Sequence, residues 1–107
     1  MTSKPVIVYL FTSPTCGPCK TIKPFWNELR EDDDSVYSKF TWMTIDITAD
    51  RENYVQLFGV TAVPTMVVTV GGEVFGSSKG TSAMGYLNLL KRASVSAGLS
   101  GSSGSSS

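Results

Sequence analysis

Residues 5–20 of the chain read PVIVYLFTSPTCGPCK, a stretch that contains its only two cysteines. The continuous β-branched and aromatic run at residues 6–11 predicts a strand buried on both faces. A turn follows, and a helix is predicted to begin at Gly17. Cys16 and Cys19 then stand one turn apart at the start of that helix. There they can join as a disulfide or separate as a dithiol, which makes the pair a reversible two-electron switch.

The start of a helix favours a thiolate on Cys16, because unpaired backbone N–H groups and the positive end of the helix dipole lie there. Such positions lower a cysteine pKa from about 8.5 to a range of roughly 3.5 to 7.5. Cys19 is expected to be more buried and to attack the mixed disulfide that Cys16 forms with a substrate. Gly17 lets a partner backbone approach closely, and Pro18 suits the first turn because it has no N–H to leave unpaired.

Two other interpretations of the cysteine pair stay open. The pair can be a disulfide that only braces the fold, although a loop this short gains little from cross-linking. It can also supply two ligands of a metal site, but tetrahedral zinc takes four, and the chain has no histidine and no third cysteine. A metal site would therefore need a second chain, and redox chemistry is the interpretation that we prefer.

Length and charge indicate one domain without a strong electrostatic partner. A chain of 107 residues can bury well over half of its unfolded surface in a single core. Nine basic residues balance nine acidic ones, so no nucleic acid or membrane partner is expected. The longest apolar run is too short for a membrane span and lacks the pattern of a signal peptide. A cytoplasmic location is expected, where dithiols are kept reduced.

The pattern after the cysteines predicts a helix, a strand and a second helix. The first helix extends to about residue 30 and has an apolar face formed by Ile22, Phe25, Trp26 and Leu29. The acidic run at residues 31–34 is interpreted as a solvated helix end. A second strand is predicted at residues 40–46. Asp50 or a neighbour caps a short helix, which Gly59 stops.

Two further strands and a last helix complete the pattern. A strand over residues 65–70 and a short one over residues 73–75 are joined by the hairpin turn Gly71-Gly72. Thr81 or Ser82 caps the final helix. The residues predicted to face the sheet are Met84, Leu87 and Leu90, with Leu89 beside them.

The predicted fold class is α/β, a minimal βαβαββα order with a four-stranded mixed sheet flanked by helices. Residues 1–97 form the expected domain. Residues 98–107 read GLSGSSGSSS and are expected to be a flexible Gly/Ser tail.

Several motifs resemble those of the thioredoxin family. They are the CGPC quartet at residues 16–19, Lys20 after it, Pro24 inside the helix, and Val63-Pro64-Thr65 before the hairpin. The resemblance covers residues 5 to 95 or so and implies a thioredoxin-like fold. The N-terminal strand and helix of full-length thioredoxins are expected to be absent, and this shorter arrangement resembles glutaredoxin and the small archaeal and phage-type thioredoxins.

The resemblance implies a thiol–disulfide oxidoreductase that reduces disulfide-containing proteins. By this likeness Cys16 is the attacking cysteine and Cys19 the resolving one. Pro64 would be the cis-proline that faces the disulfide, and Val63 would offer backbone hydrogen bonds to a substrate strand. Gly80 resembles the glycine that closes the other side of the substrate groove, although a simple loop glycine is an equal alternative.

The resemblance also implies how the pair is recycled. Electrons would come from a flavin-dependent thioredoxin reductase, or from glutathione if the glutaredoxin-like features prevail. No bound cofactor is expected, and a monomer is expected. Two rival functions stay open: a redox-inactive binding subunit, and an oxidase or isomerase of an oxidising compartment.

Three positions depart from the family pattern. Thr15 stands where thioredoxins usually carry tryptophan, Leu10 stands at the position of the buried aspartate, and Trp42 at that of its neighbouring lysine. A buried carboxylate can take the proton from a resolving thiol, and leucine cannot. Water or a neighbouring thiolate must then accept the proton of Cys19.

Overall fold

The computed structural model describes residues 4–31 and 36–98. Its strands are β1 (Val6–Thr12), β2 (Thr41–Asp46), β3 (Thr65–Val70) and β4 (Glu73–Lys79), and its helices are α1 (Gly17–Arg30), α2 (Tyr54–Leu57) and α3 (Ala83–Ser96), with 3-10 turns at Val36–Lys39 and Ile47–Ala49. The predicted βαβαββα order is confirmed. The acidic positions 32–34 and the tail from residue 99 lie outside the described residues, so their predicted character stays a prediction.

The four strands form one mixed sheet in the order β2-β1-β3-β4. β1 runs parallel to β2 and antiparallel to β3, and β3 runs antiparallel to β4. The predicted α/β class with a four-stranded mixed sheet is therefore confirmed. β1 lies inside the sheet and Val8, Leu10 and Phe11 on it are fully buried, as the uninterrupted apolar run predicts.

The sheet separates two apolar clusters, because successive side chains of a strand point to opposite faces. The larger cluster contains Val8 and Leu10 of β1, Met66 of β3, Ile22 and Trp26 of α1, and Tyr86, Leu90 and Ala93 of α3. The smaller one contains Tyr9 and Phe11 of β1, Ile45, Val67, and the partly buried rings of Tyr54 and Phe58. Helices α1 and α3 thus cover one face of the sheet, while α2 and its flanking loops cover the other.

The predicted apolar face of the last helix is partly wrong. Met84 is 66% exposed, whereas Tyr86 is fully buried. Leu90 and Leu89 are buried as predicted, and Leu87 is only partly buried. The buried positions 86, 89, 90, 93 and 97 follow the i, i+3, i+4, i+7 rule, and Met84 lies about 200° round the helix from Tyr86.

The fourth strand is longer than residues 73–75, since β4 continues to Lys79. The pairing shifts between Val68 and Thr69, because Val68 faces Gly76 while Thr69 faces Val74. The glycine and serines of this segment carry no apolar alternation, which explains why the sequence did not predict it. A Cβ atom at Gly76 would lie 2.9 Å from Leu89 Cδ1, so glycine here allows α3 to pack closely on the sheet.

The short helix α2 is capped from four residues upstream, which confirms the prediction for Asp50. The Asp50 carboxylate accepts hydrogen bonds from the Tyr54 and Val55 N–H groups at 2.9 and 2.7 Å. Gly59 follows the helix with φ +66°, a backbone conformation that residues with a side chain rarely adopt. In residues 4–31 and 36–98, no helix has the length and apolar character needed to cross a membrane.

We expect Asp50→Ala to lower the free energy of unfolding by about 1 kcal/mol, because two N–H groups at the start of α2 lose their acceptor. Urea denaturation followed by circular dichroism measures the loss. The exposed neighbour Glu52 supplies a control: Glu52→Ala should change stability much less. Equal losses in the two variants would contradict a capping role for Asp50.

Candidate active site

The two cysteines meet at the junction of β1 and α1. Cys16 is the N-cap residue of α1, and Cys19 lies in the first turn of the helix. The structure contains the Cys16–Cys19 disulfide, with 5.3 Å between the two Cα atoms, which is within the usual range. The strand, the turn and the helix start that the sequence predicts therefore bring the two sulfur atoms together.

One hydrogen bond fixes the backbone of Cys16, and a second is donated to its sulfur atom. The Cys16 N–H donates to the Ser13 carbonyl at 3.1 Å. The Cys19 N–H donates to Cys16 Sγ at 3.1 Å. This N–H, at the positive end of α1, favours negative charge on Cys16 Sγ once the disulfide is reduced. The arrangement therefore supports Cys16 as the nucleophile.

The exposed fractions of the two cysteines differ in the predicted direction. Cys16 is 9% exposed and Cys19 is 2% exposed. Gly17 and Pro18 between them are exposed, and Pro18 stands in the first turn of the helix. A Cβ atom at Gly17 would meet nothing within 4 Å, so the surface over the pair is open to a partner.

Pro64 and Gly80 lie together at the same end of the sheet as the cysteines. The Val63–Pro64 peptide bond is cis, as the resemblance implies, and Pro64 is fully buried. Thr65, the next residue, pairs with Phe11 near the end of β1, so β3 begins beside the turn that leads to Cys16. Val63 is partly exposed. The substrate-binding roles of Val63, Pro64 and Gly80 stay predictions.

Both backbone groups of Gly80, its N–H and its carbonyl, are hydrogen-bonded. Its N–H donates to the Pro64 carbonyl at 2.9 Å. Its own carbonyl accepts a hydrogen bond from the Tyr86 hydroxyl at 2.7 Å. Burial raises the pKa of Tyr86 to about 12, so this hydroxyl keeps its proton at neutral pH. Tyr86 was not predicted from the sequence, although its spacing to Leu89, Leu90 and Ala93 places it on the same apolar face of α3.

The three residues that depart from the family pattern lie in different surroundings. Leu10 is fully buried and faces Met66 on β3. Trp42 packs edge-on against Trp26 with 5.0 Å between ring centres, and its Nε1–H donates to a backbone carbonyl at 2.9 Å. Thr15 is exposed, with its hydroxyl 3.2 Å from that of Ser13. Positions 10 and 42 thus offer no ionisable group, and the rim before Cys16 is polar.

A shallow apolar pocket adjoins the cis-proline on the side of α2. Its lining residues are Ile47, Val55, Val60, Thr61, Ala62 and Val63. Because Val63 directly precedes Pro64, the pocket lies beside the backbone segment predicted to pair with a substrate. Within the described ranges, no group of three or more His, Cys, Asp or Glu side chains could hold a metal ion.

The mixed sheet, a helix that opens on a cysteine pair and the buried cis-proline define a thioredoxin-like fold with a dithiol–disulfide centre. The thioredoxin family model matches residues 1–91. The chain therefore belongs to the thioredoxin family, and it is a thiol–disulfide oxidoreductase that works by dithiol–disulfide exchange through Cys16 and Cys19. This family assignment confirms the resemblance inferred from the motifs.

Individual relatives agree with the family match. A thioredoxin of Bacillus subtilis is 37% identical over 79 residues, which are 74% of this chain and 72% of that protein. A chloroplastic M-type thioredoxin of Zea mays is 36% identical over 64% of this chain, but this chain spans only 38% of its length. A 47-residue stretch is 45% identical to part of NADPH-dependent thioredoxin reductase 3 of Arabidopsis thaliana and covers 44% of this chain and 8% of that protein.

A solved structure shows the same fold. The thioredoxin of Malassezia sympodialis superposes with a TM-score of 0.74 at 24% sequence identity, covering 83% of this chain and 77% of that one. At this identity the likeness establishes the fold alone. The predicted thioredoxin-like fold is thereby confirmed.

In the reduced protein we expect iodoacetamide to alkylate Cys16 on the order of tenfold faster than Cys19 at neutral pH. Cys16 is the more exposed thiol, and the Cys19 N–H favours its thiolate. Mass spectrometry of peptides after short exposure measures the ratio. The same reaction in urea is the control, because unfolding should make the two rates similar. Faster modification of Cys19 in the folded protein would contradict the assignment of the nucleophile.

Proposed function

We propose that this protein is a protein-disulfide reductase in which Cys16 attacks and Cys19 resolves. The observation that carries the proposal is the placement of Cys16 Sγ at the open N-terminus of α1, with the Cys19 N–H directed at it and Cys19 nearly buried behind it. A nucleophile needs access and a stabilised thiolate, whereas a resolving thiol needs only proximity to the first sulfur atom.

The reaction moves two electrons from the cysteine pair to the substrate. The Cys16 thiolate attacks one sulfur atom of a substrate disulfide, forms a mixed disulfide and expels the first substrate thiolate. Cys19 loses its proton and attacks Cys16 Sγ, which expels the second substrate thiolate and closes the Cys16–Cys19 disulfide. The substrate leaves as a dithiol, and the protein is left in the oxidised form that the structure contains.

The proton of Cys19 has a route that does not use a buried carboxylate. Leu10 is fully buried and apolar, so it cannot act as a base. We propose that water, or the substrate thiolate released in the first step, takes this proton. The released thiolate is suited to the task because it is formed beside Cys16 immediately before Cys19 reacts.

The proposed substrate groove is formed by backbone at the end of the sheet. The partly exposed Val63 lies next to the cis-proline, and an extended substrate segment could pair with its backbone as an added strand. Pro64 and Gly80 form one wall of this groove, and the open surface at Gly17 and Pro18 forms the other. The apolar pocket beside Val63 suits an apolar side chain of the same segment.

We propose a thioredoxin reductase as the electron donor, and glutathione as the alternative donor. The likeness of this chain to part of NADPH-dependent thioredoxin reductase 3 supports a functional link with such reductases. A cytoplasmic location fits the similarity to a bacterial thioredoxin and stays a prediction for this chain, as does the monomeric state. The exchange steps take place between the sulfur atoms of Cys16, Cys19 and the substrate disulfide.

We expect Cys19→Ser to accumulate a covalent mixed disulfide with a protein substrate, because Cys16 can still attack but no thiol can resolve the product. Non-reducing electrophoresis of the variant incubated with insulin would show the adduct, and dithiothreitol would remove it. Cys16→Ser is the matched control and should form no adduct. Both variants should lose insulin reduction.

The rival function as a binding subunit gives a different result. If a Cys16→Ser, Cys19→Ser double variant retains full affinity for a partner and the wild-type protein reduces no disulfide, the protein acts as a scaffold. An adduct that forms through Cys19 in the Cys16→Ser variant would instead reverse the proposed roles of the two cysteines.

A further inference from the structure

A buried tyrosine of α3 is connected by hydrogen bonds to the cis-proline loop. Tyr86 is fully buried, and its ring and that of Phe25 of α1 are arranged edge-to-face with 6.4 Å between ring centres. Its hydroxyl donates to the Gly80 carbonyl at 2.7 Å. The Gly80 N–H in turn donates to the Pro64 carbonyl at 2.9 Å. Two consecutive hydrogen bonds therefore run from the core of the domain to Pro64.

The two hydrogen bonds hold a glycine that lies at the end of a strand. Gly80 directly follows β4 and has φ +89°, a conformation in which the backbone is free of the usual side-chain restraint. A mobile glycine at a strand end would leave the wall of the proposed groove loosely held. The Tyr86 hydroxyl fixes the Gly80 carbonyl, and the Pro64 carbonyl fixes its N–H, so both peptide groups flanking this glycine are oriented.

Helix α3 is capped in the turn that carries Tyr86. The Ser82 hydroxyl accepts a hydrogen bond from the Gly85 N–H at 3.2 Å, and the Ser82 carbonyl accepts one from the Tyr86 N–H at 3.2 Å. Tyr86 thus stands in the capped first turn of α3, on the side that packs against the sheet. Its hydroxyl is held by a rigid support, which is the condition for a side chain to position another group.

We propose that Tyr86 is a positioning residue whose hydroxyl holds Gly80, and through Gly80 the Pro64 carbonyl, in the arrangement that binds the extended segment of a protein disulfide substrate. The inference rests on the proposed reductase function and adds a residue to its binding site. The hydrogen bonds connect Tyr86 to Pro64 through Gly80, and neither cysteine is part of this connection. It should therefore affect substrate binding and leave the sulfur chemistry unchanged.

The test uses Tyr86→Phe, which removes the hydroxyl and keeps the ring. With dithiothreitol as the electron donor, KM for insulin should rise about two- to tenfold, the range expected for one lost hydrogen bond, while kcat stays the same. The rate with dithiobis(nitrobenzoate), a small disulfide without a peptide backbone, should not change. The equilibrium of the cysteine pair with glutathione should not change either. Amide exchange at Gly80 should become faster.

Tyr9→Phe is the matched control. Tyr9 is also a largely buried tyrosine, but it lies in the smaller cluster on the other face of the sheet. The change removes the same hydroxyl group from the other face of the sheet. KM for insulin and exchange at Gly80 should both stay at the wild-type values.

The possible results distinguish failure of the positioning role of Tyr86 from failure of the proposed reductase function. If wild-type protein fails to reduce insulin, the proposed function fails and the inference fails with it. If wild-type protein reduces insulin but Tyr86→Phe has an unchanged KM, or Tyr9→Phe raises KM equally, only the positioning role is overturned. A loss of kcat or a shifted glutathione equilibrium in Tyr86→Phe would also overturn it.

If Tyr86→Phe does not fold, a measurement on protein that keeps Tyr86 tests the inference instead. In the Cys19→Ser variant, formation of a mixed disulfide with a peptide should shift the nuclear magnetic resonance signals of the Gly80 amide and the Tyr86 ring. Unchanged Gly80 and Tyr86 signals in a fully formed adduct would overturn the inference.

Discussion

The central position of β1, paired on both edges and buried on both faces, is the constraint on which the rest of the structure depends. Its parallel pairing with β2 and antiparallel pairing with β3 align three chain segments at one end of the sheet. The turn that leads to Cys16 leaves β1 at that end, and the cis-proline enters β3 there. Loss of the β1–β3 register would separate Cys16 from Pro64 even if each remained locally intact.

The site consequently has two parts with different physical origins. The cysteine pair is assembled locally, since the N-cap position, the Cys19 N–H and the proline in the first turn all lie within one turn of α1. The proposed substrate groove depends on tertiary contacts, since Pro64, Gly80 and Tyr86 come from the loop before β3, the end of β4 and α3. Sulfur reactivity and substrate recognition can therefore respond separately to substitution.

This difference also explains what could be predicted from the sequence. The β1 run, the extent of α1 and the order of burial of Cys16 and Cys19 follow from local patterns and are confirmed. The cis bond at Pro64 could be expected only from the family resemblance, because most X-Pro bonds are trans. Residues 76–78 lack an apolar alternation, so the length of β4 was missed. Tyr86 was missed because the exposed Met84 was assigned to the buried face of α3.

The equilibrium reduction potential of the Cys16–Cys19 pair against glutathione, read by alkylating the free thiols, decides whether the pair can act as a protein-disulfide reductase. We expect full reversibility and a potential close to the roughly −270 mV of thioredoxin, low enough for the dithiol to reduce protein disulfides. A potential near the roughly −120 mV of a strong oxidant would contradict a reductase. A pair that does not return to the disulfide after reduction would contradict the exchange mechanism itself.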